Sequence, residues 1–397
     1  MKIRDKITPE GTKDLLFEEY ERQLEAIKTL EHLFLMGGYR KILTPMLEYY
    51  DVFAKAAQYL PLDSMYKLID DKGRLLVLCP DCTIPVARVT ATRLKDQPRP
   101  LRFYYNHNIY RMEPETKGKS IEVNQIGIEL IGGKERKSDF EVVELAADCM
   151  EAIGGEQYRL ELCHIGYFKA IIGSMNVDEE TKENIRSYIE QKNYAALTNL
   201  LEPYKGEKAA KALLTLPRLF GGVEVIEKGY ELFHENGAKE NLDYLKDVYE
   251  HLQSLGLGNR VIVDLGLVNQ AEYYTGIIFR GYFNEVGEQV LSGGRYDKLL
   301  SDFGEESPSV GFGINVDLAS KKILMPAKER QKVIVFTKAE QWEGKASSYQ
   351  KKLRAEGTIA IHSVQDTMEE VIAYAKKMKI PQIHTVGETI DIWRVDE

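Results

Sequence analysis

Cysteine is scarce in this sequence: four residues in a chain of 397, too few for a disulfide framework. Cys79 and Cys82 form a C-x-x-C in "LCPDCTIPVAR", but Cys149 and Cys163 are distant and isolated, so the second pair of a usual zinc site is missing. The pair reads either as a redox or half-metal motif or as two small side chains at the end of a buried strand. An excess of positive charge is lacking too. The net charge is −9 and the pI about 5.5, which opposes tight binding to nucleic acid, where Lys and Arg must neutralise phosphates. No stretch approaches the roughly 20 apolar residues needed to span a bilayer. The opening "MKIRDKITPEGTKDL" carries no apolar run of the secretory kind. There is no repeat, no low-complexity tract, and no Gly-rich loop or His-Arg-Asp motif of a kinase. These absences lead us to expect a cytoplasmic protein without membrane contact, metal or cofactor.

What is present suits two or three domains at about 150 residues each. Residues 17–37 have apolar positions at helical spacing and stop at Gly37-Gly38. "YRKILTPMLEYYDVF" reads as an extended segment running into a helix, with Pro45 breaking helical continuation. "GRLLVLCPD", "LRFYYNHNIYRME" and "YRLELCHIG" read as strands, and "DFEVVELAADCMEAIG" as an amphipathic helix. In "SIEVNQIGIELIGG", Ile121, Val123, Gln125, Gly127 and Glu129 share one face. Two polar side chains separated by a glycine make that face either a ligand floor or a solvated surface. Residues 166–257 are almost wholly helical in pattern and read as an insertion. Strands resume at "NRVIVDLGLV", "YYTGIIFRGYF" and "EQVLSGGRYD", and a last helix is expected from Ser309-Val310. From Pro326 the chain alternates short apolar runs with helices at 341–356 and 367–379, a βαβαβ pattern. The fold class expected is α+β: a mainly antiparallel sheet with flanking helices and a helical insertion over 1–325, then a small α/β domain over 326–397.

Several stretches together resemble histidyl-tRNA synthetase, a class II aminoacyl-tRNA synthetase, over nearly the whole chain. "PEGTKDLL" at 9–16 is similar to that family's opening, and "ILTPMLEYYDVF" at 42–53 to its dimer-forming motif 1. "YRMEPETKGKSIEVNQIGIELIG" resembles motif 2 and its following strand. "LVNQAEYYTG" stands where the family has Leu-Val-Arg-Gly-Leu-Asp-Tyr-Tyr-Thr-Gly. "SGGRYDKL" and "SVGFGINVDLA" are similar to the Gly-Gly-Arg-Tyr-Asp loop and motif 3. The resemblance implies that Glu129 binds an imidazole with Tyr274 beside it. Gln125 and Thr83 would meet the α-amino and carboxylate ends, and Arg111 would contact the carboxylate. Asp81 stands in for a longer glutamate, and Tyr273 and Tyr296 line the wall. Each also has a plainer reading. The tyrosines can be ordinary packing, Arg111 an ion pair with Glu113 or Glu115, and Asp81 a cap for the helix near Thr83.

The departures carry as much information. Where the family uses arginines for ATP, this chain has Asn269, Ile121 and Leu318, and the glutamate before the last is Asp317. Adenylate formation brings a carboxylate onto a phosphate, and pre-organised guanidinium groups stabilise the charge that builds. A scaffold keeping amino-acid groups but losing ATP groups resembles the regulatory subunits of ATP phosphoribosyltransferase, in the first step of histidine biosynthesis. That resemblance implies no catalysis of its own. It implies a short-form catalytic subunit as partner in a hetero-octamer, L-histidine as regulatory ligand, and a homodimer through motif 1. Binding of tRNA is not expected, since the tail from Ala327 holds 12 Lys/Arg against 11 Asp/Glu. The alternative is a divergent histidyl-tRNA synthetase.

Overall fold

The computed structural model describes residues 6–55, 62–112, 120–268, 274–325, 331–337 and 339–395. The chain divides into two compact units, Met1–Leu324 and Met325–Glu397.

In the first unit the strands are β1 (Arg40–Lys41), β2 (Leu47–Tyr49), β3 (Lys67–Ile69), β4 (Leu75–Leu78), β5 (Leu101–Tyr110), β6 (Glu122–Ile131), β7 (Tyr158–His164), β8 (Phe220–Gly221), β9 (Val261–Asp264), β10 (Ile277–Phe283), β11 (Gln289–Arg295) and β12 (Ser309–Asn315). Nine of them form one sheet in the order β1-β5-β6-β12-β11-β10-β7-β9-β8. Pairings β1–β5 and β7–β9 are parallel, and the other neighbours are antiparallel. A separate small sheet runs β2-β4-β3.

Period-2 alternation decides which residues face the helices. Along β6, Ile126, Ile128 and Leu130 are buried on one face, leaving Gln125, Gly127 and Glu129 on the other. Helix α1 (Phe17–Met36) covers the apolar face, burying Ala26, Leu30 and Phe34 at helical spacing. Phe34 packs against the rings of Tyr104 and Phe312, at 5.7 and 6.0 Å between centroids. The helix ends where Gly38 takes φ +80°, a left-handed backbone that side-chain-bearing residues rarely adopt. After the short α2 (Tyr50–Ala54) and α3 (Thr83–Arg93), α4 (Glu135–Gly154) packs on β12, β10 and β7. Between β7 and β9 lie six helices: α5 (Ile165–Gly173), α6 (Glu179–Glu190), α7 (Tyr194–Leu201), α8 (Lys208–Thr215), α9 (Glu224–Leu232) and α10 (Ala238–Ser254).

The helix expected from Ser309-Val310 is a strand. β12 sits between β6 and β11, so its backbone groups are paired on both sides, and Gly311 and Gly313 disfavour a helix. The helix starts only at Val316 (α11, Val316–Ala319), where the Asn315 side chain accepts from Leu318 N at 3.1 Å.

The second unit has strands β13 (Lys332–Phe336), β14 (Ile359–His362), β15 (Gln382–Val386) and β16 (Ile390–Arg394), with helices α12 (Glu343–Ala355) and α13 (Met368–Lys377). β13 pairs in parallel with β14 and β15, and β16 adds an antiparallel edge that the βαβαβ reading did not include. Among the described residues no helix is long and apolar enough to cross a membrane.

Candidate functional site: a carboxylate pocket beside an open cleft

A row of glycines builds the floor. In the sheet, Gly311 of β12 lies opposite Glu129 of β6, and Gly294 of β11 opposite Gly311. A Cβ at Gly311 would stand 2.0 Å from Glu129 Oε2, and one at Gly294 would stand 2.7 Å from the Tyr274 ring. At Gly127 a Cβ would meet the Tyr105 hydroxyl at 2.6 Å. The glycines therefore let Glu129, Tyr274 and Tyr105 lie across the sheet rather than stand up from it.

Glu129 is 1% exposed. Tyr296 donates its hydroxyl to Glu129 Oε2, and Thr83 also hydrogen-bonds the carboxyl group. Burial nevertheless dominates and pushes its pKa up to about 8, with the nearby Asp81 charge acting the same way. At neutral pH this burial favours the protonated form of Glu129. Tyr105, also buried, has its phenol pushed further from ionisation, first by burial and then by Glu129, Cys82 and Asp81. It belongs to this cluster although the sequence reading passed over it. Only the β5–β6 register, which sets Tyr105 opposite Gly127, brings it there.

Asp81 serves the local backbone. Its Oδ1 accepts from Thr83 N at 2.8 Å and Ile84 N at 3.2 Å, fixing the first turn of α3, while Oδ2 faces Arg111 Nη2 at 3.4 Å. Arg111 also donates from Nε to the Pro80 carbonyl at 2.7 Å. The capping reading and the site reading of Asp81 thus refer to one geometry, and Arg111 pairs with Asp81. Glu113 and Glu115, the partners expected for Arg111, lie outside the described residues, as do Asn269 and Tyr273. Among the described residues the buried Oε1 of Gln125 meets no hydrogen-bond partner, and Gln125 lines the neighbouring cleft.

Cys79 and Cys82 are free, buried thiols, and Cys79 Sγ donates to the Asp81 carbonyl at 3.0 Å. Hydrogen bonding to Cys79 and burial hold the Cys82 thiol well above its ordinary pKa. Among the described residues, no group of three or more His, Cys, Asp and Glu side chains is placed to hold a metal ion.

The adjoining cleft has a volume of about 1070 Å³. Arg111 and Gln125 line it, together with Ile121 and Leu318, two of the positions at which cations are missing. Among the described residues its cations, Lys13, Arg111 and Lys321, are matched by Glu10, Glu288 and Asp317. Asp317 is engaged structurally, accepting from Asn124 N at 3.0 Å and Gln23 Nε2 at 2.8 Å. Ile121 is pinned by the opening segment: its N–H donates to Gly11 O at 2.8 Å, and a Cβ at Gly11 would overlap its side chain at 2.4 Å.

Fold and pocket together define a protein of the class II histidyl-tRNA synthetase type, and the family model described as Histidyl-tRNA synthetase matches residues 11–318. An ATP phosphoribosyltransferase regulatory subunit from Clostridium kluyveri is 39% identical over 95% of this chain and 99% of its own length. One from Clostridium botulinum is 37% identical over 95% and 90%. A crystal structure of an ATP phosphoribosyltransferase regulatory subunit/histidyl-tRNA synthetase from Bacillus halodurans superposes with a TM-score of 0.82 at 31% identity, covering 96% of this chain and 97% of that one. The chain belongs to the family of ATP phosphoribosyltransferase regulatory subunits.

Proposed function

We propose that this chain is the non-catalytic regulatory subunit of ATP phosphoribosyltransferase, needed by a short catalytic subunit and carrying feedback inhibition by histidine in the first step of histidine biosynthesis. Histidine binds in the Glu129 pocket: Glu129 takes the imidazole with Tyr274 and Tyr296 around it. Thr83 and Gln125 serve the amino-acid ends, Arg111 the carboxylate, with Asp81 holding Arg111 and Tyr273 completing the wall. The observation that carries this reading is the contrast between adjoining spaces. Glu129 is held by Tyr296 and Thr83, while the cleft beside it presents Ile121 and Leu318 and, among the described residues, a balanced set of charges. Apolar side chains at 121 and 318 supply little of the transition-state stabilisation that adenylate formation demands.

The protein acts as a homodimer through the motif 1 segment, Ile42–Phe53, and joins the catalytic subunit in a hetero-octamer. In support, Leu43, Met46, Leu47, Tyr49, Leu68 and Ile69 are exposed on and beside the small β2-β4-β3 sheet, an apolar surface of the sort that subunit contacts cover. It works without tRNA, in the cytoplasm. Histidine-dependent ATP–pyrophosphate exchange is the experiment that tests the non-catalytic assignment. The pure protein is expected to show none, and sustained exchange would overturn the proposal.

A further inference from the structure

None of the pocket side chains comes from the six helices between β7 and β9, yet two side chains from those helices end on the pocket's supports. From α5, Lys169 Nζ donates to the Tyr274 carbonyl at 2.8 Å. From α10, the Tyr244 hydroxyl donates to Asp139 Oδ2 at 2.6 Å. Asp139 is wholly buried, and its carboxylate grips Arg295, at 2.6 Å to Nη2 and 3.0 Å to Nε. Arg295, itself 1% exposed, directly precedes Tyr296, whose hydroxyl holds Glu129.

The backbone between these points is stiffly tied. Thr275 N donates to Arg295 O at 2.8 Å, Asp297 N to Thr275 Oγ1 at 3.1 Å, and Tyr296 N to Ser309 O at 2.7 Å. The stretches carrying Tyr274 and Tyr296 are therefore laced to each other and tied to the helical layer, the first by Lys169 and by Ile165 N, which donates to Gly276 O at 3.0 Å, the second through Tyr244 and Asp139. Arg295 is held further by Asp297 Oδ1 at 2.9 Å and the Glu135 carbonyl at 3.0 Å, and a buried ion pair with its hydrogen bonds so filled has little freedom to reorganise. Displacement of α10 would thus reach Tyr296 through Tyr244, Asp139 and Arg295 rather than be absorbed along the way.

We propose that Tyr244 and Lys169 are positioning residues for the pocket, through which the helical insertion sets where Tyr296 and Tyr274 stand around Glu129. A partner that docks on or shifts these helices would then change ligand affinity without touching the ligand. The affinity arm of the test rests on the reading that histidine binds this pocket, and the exchange arm does not.

The full chain is used, with Tyr244→Phe and Lys169→Met made singly, and Tyr244→Phe also combined with Tyr296→Phe. Histidine affinity is read by calorimetry and amide exchange at 274–277 and 295–297 by mass spectrometry. Each single variant should weaken histidine by about three- to tenfold, the effect of one hydrogen bond, and speed exchange at these two stretches while leaving 331–395 unchanged. In the Tyr296→Phe background, Tyr244→Phe should cost nothing further, since the strut then has no hydroxyl to position. Lys169→Arg, which keeps the donor, should restore affinity. Additive losses from Tyr244→Phe and Tyr296→Phe, or unchanged affinity with unchanged exchange, would overturn the proposal. If the wild-type protein binds no histidine, the pocket reading fails and exchange alone decides: faster exchange upholds the positioning role, and unchanged exchange refutes it.

Discussion

Replacing Glu129 by Gln keeps the shape of the side chain and removes its titration. In the proposed complex the imidazole N–H would lose a carboxylate acceptor in a site that is 1% exposed. A buried group left with a poorer partner costs about 1–3 kcal/mol, or roughly five- to 150-fold in Kd. The pH dependence makes the test sharper. Burial raises the pKa of Glu129 to about 8 in the protein without histidine, and free imidazole titrates at about 6.5. Between those values carboxyl and imidazole bring one proton to the complex and share one within it, so affinity is flat. Above pH 8 the protein without histidine has lost that proton, the complex must take one up, and wild-type affinity falls. Glu129→Gln has no such proton to recover. The ratio of wild-type to variant affinity, in which histidine's own titrations cancel, should therefore be largest near neutrality and shrink as pH rises through 8. Calorimetry at pH 7, 8 and 9 measures it. A constant ratio would show that Glu129 does not titrate against the ligand, and an unchanged affinity at every pH would place histidine elsewhere.

Two further expectations follow from packing. Asp139→Ala strips the fully buried carboxylate from Arg295 and leaves it only the partly exposed Asp297 and the Glu135 carbonyl, which should cost about 3 kcal/mol of stability in denaturant unfolding followed by circular dichroism. A loss below about 1 kcal/mol would mean that Arg295 finds water or another acceptor. The pair Leu43→Asp and Ile69→Asp places charge on side chains that are 76% and 75% exposed in the single chain. Light scattering at micromolar concentration should then report monomer where the wild type is a dimer, and an unaltered dimer would move the interface away from the motif 1 sheet.

The sheet and its tail domain were legible because their signals are local. Alternation in "SIEVNQIGIELIGG" and the short apolar runs after Pro326 need no distant partner to be read. The error at Ser309 arose where local and tertiary preferences part. "SVGFGIN" has glycines because Glu129 and Gln125 need the space above them, and its strand state is fixed by neighbours on both sides. β16 was missed, and it is an exposed edge that adds little buried apolar pattern. In the site, resemblance supplied Glu129, Thr83 and Tyr296, which the structure brings to hydrogen-bonding contact. Tyr105 was invisible because only strand register sets it over Gly127. The Arg295–Asp139 pair joins residues 156 apart in sequence, a contact that no spacing rule reveals.

Sensing histidine on behalf of another chain is the role proposed for this subunit. Its most direct test is reconstitution with a short-form ATP phosphoribosyltransferase catalytic subunit from the same genome. Phosphoribosyl transfer is assayed with the catalytic subunit alone, with this chain added, and with histidine then titrated in. Activity should appear only with both subunits, fall as histidine rises, and resist histidine when Glu129→Gln replaces the wild type. A catalytic subunit equally active and equally inhibited without this chain would contradict the account.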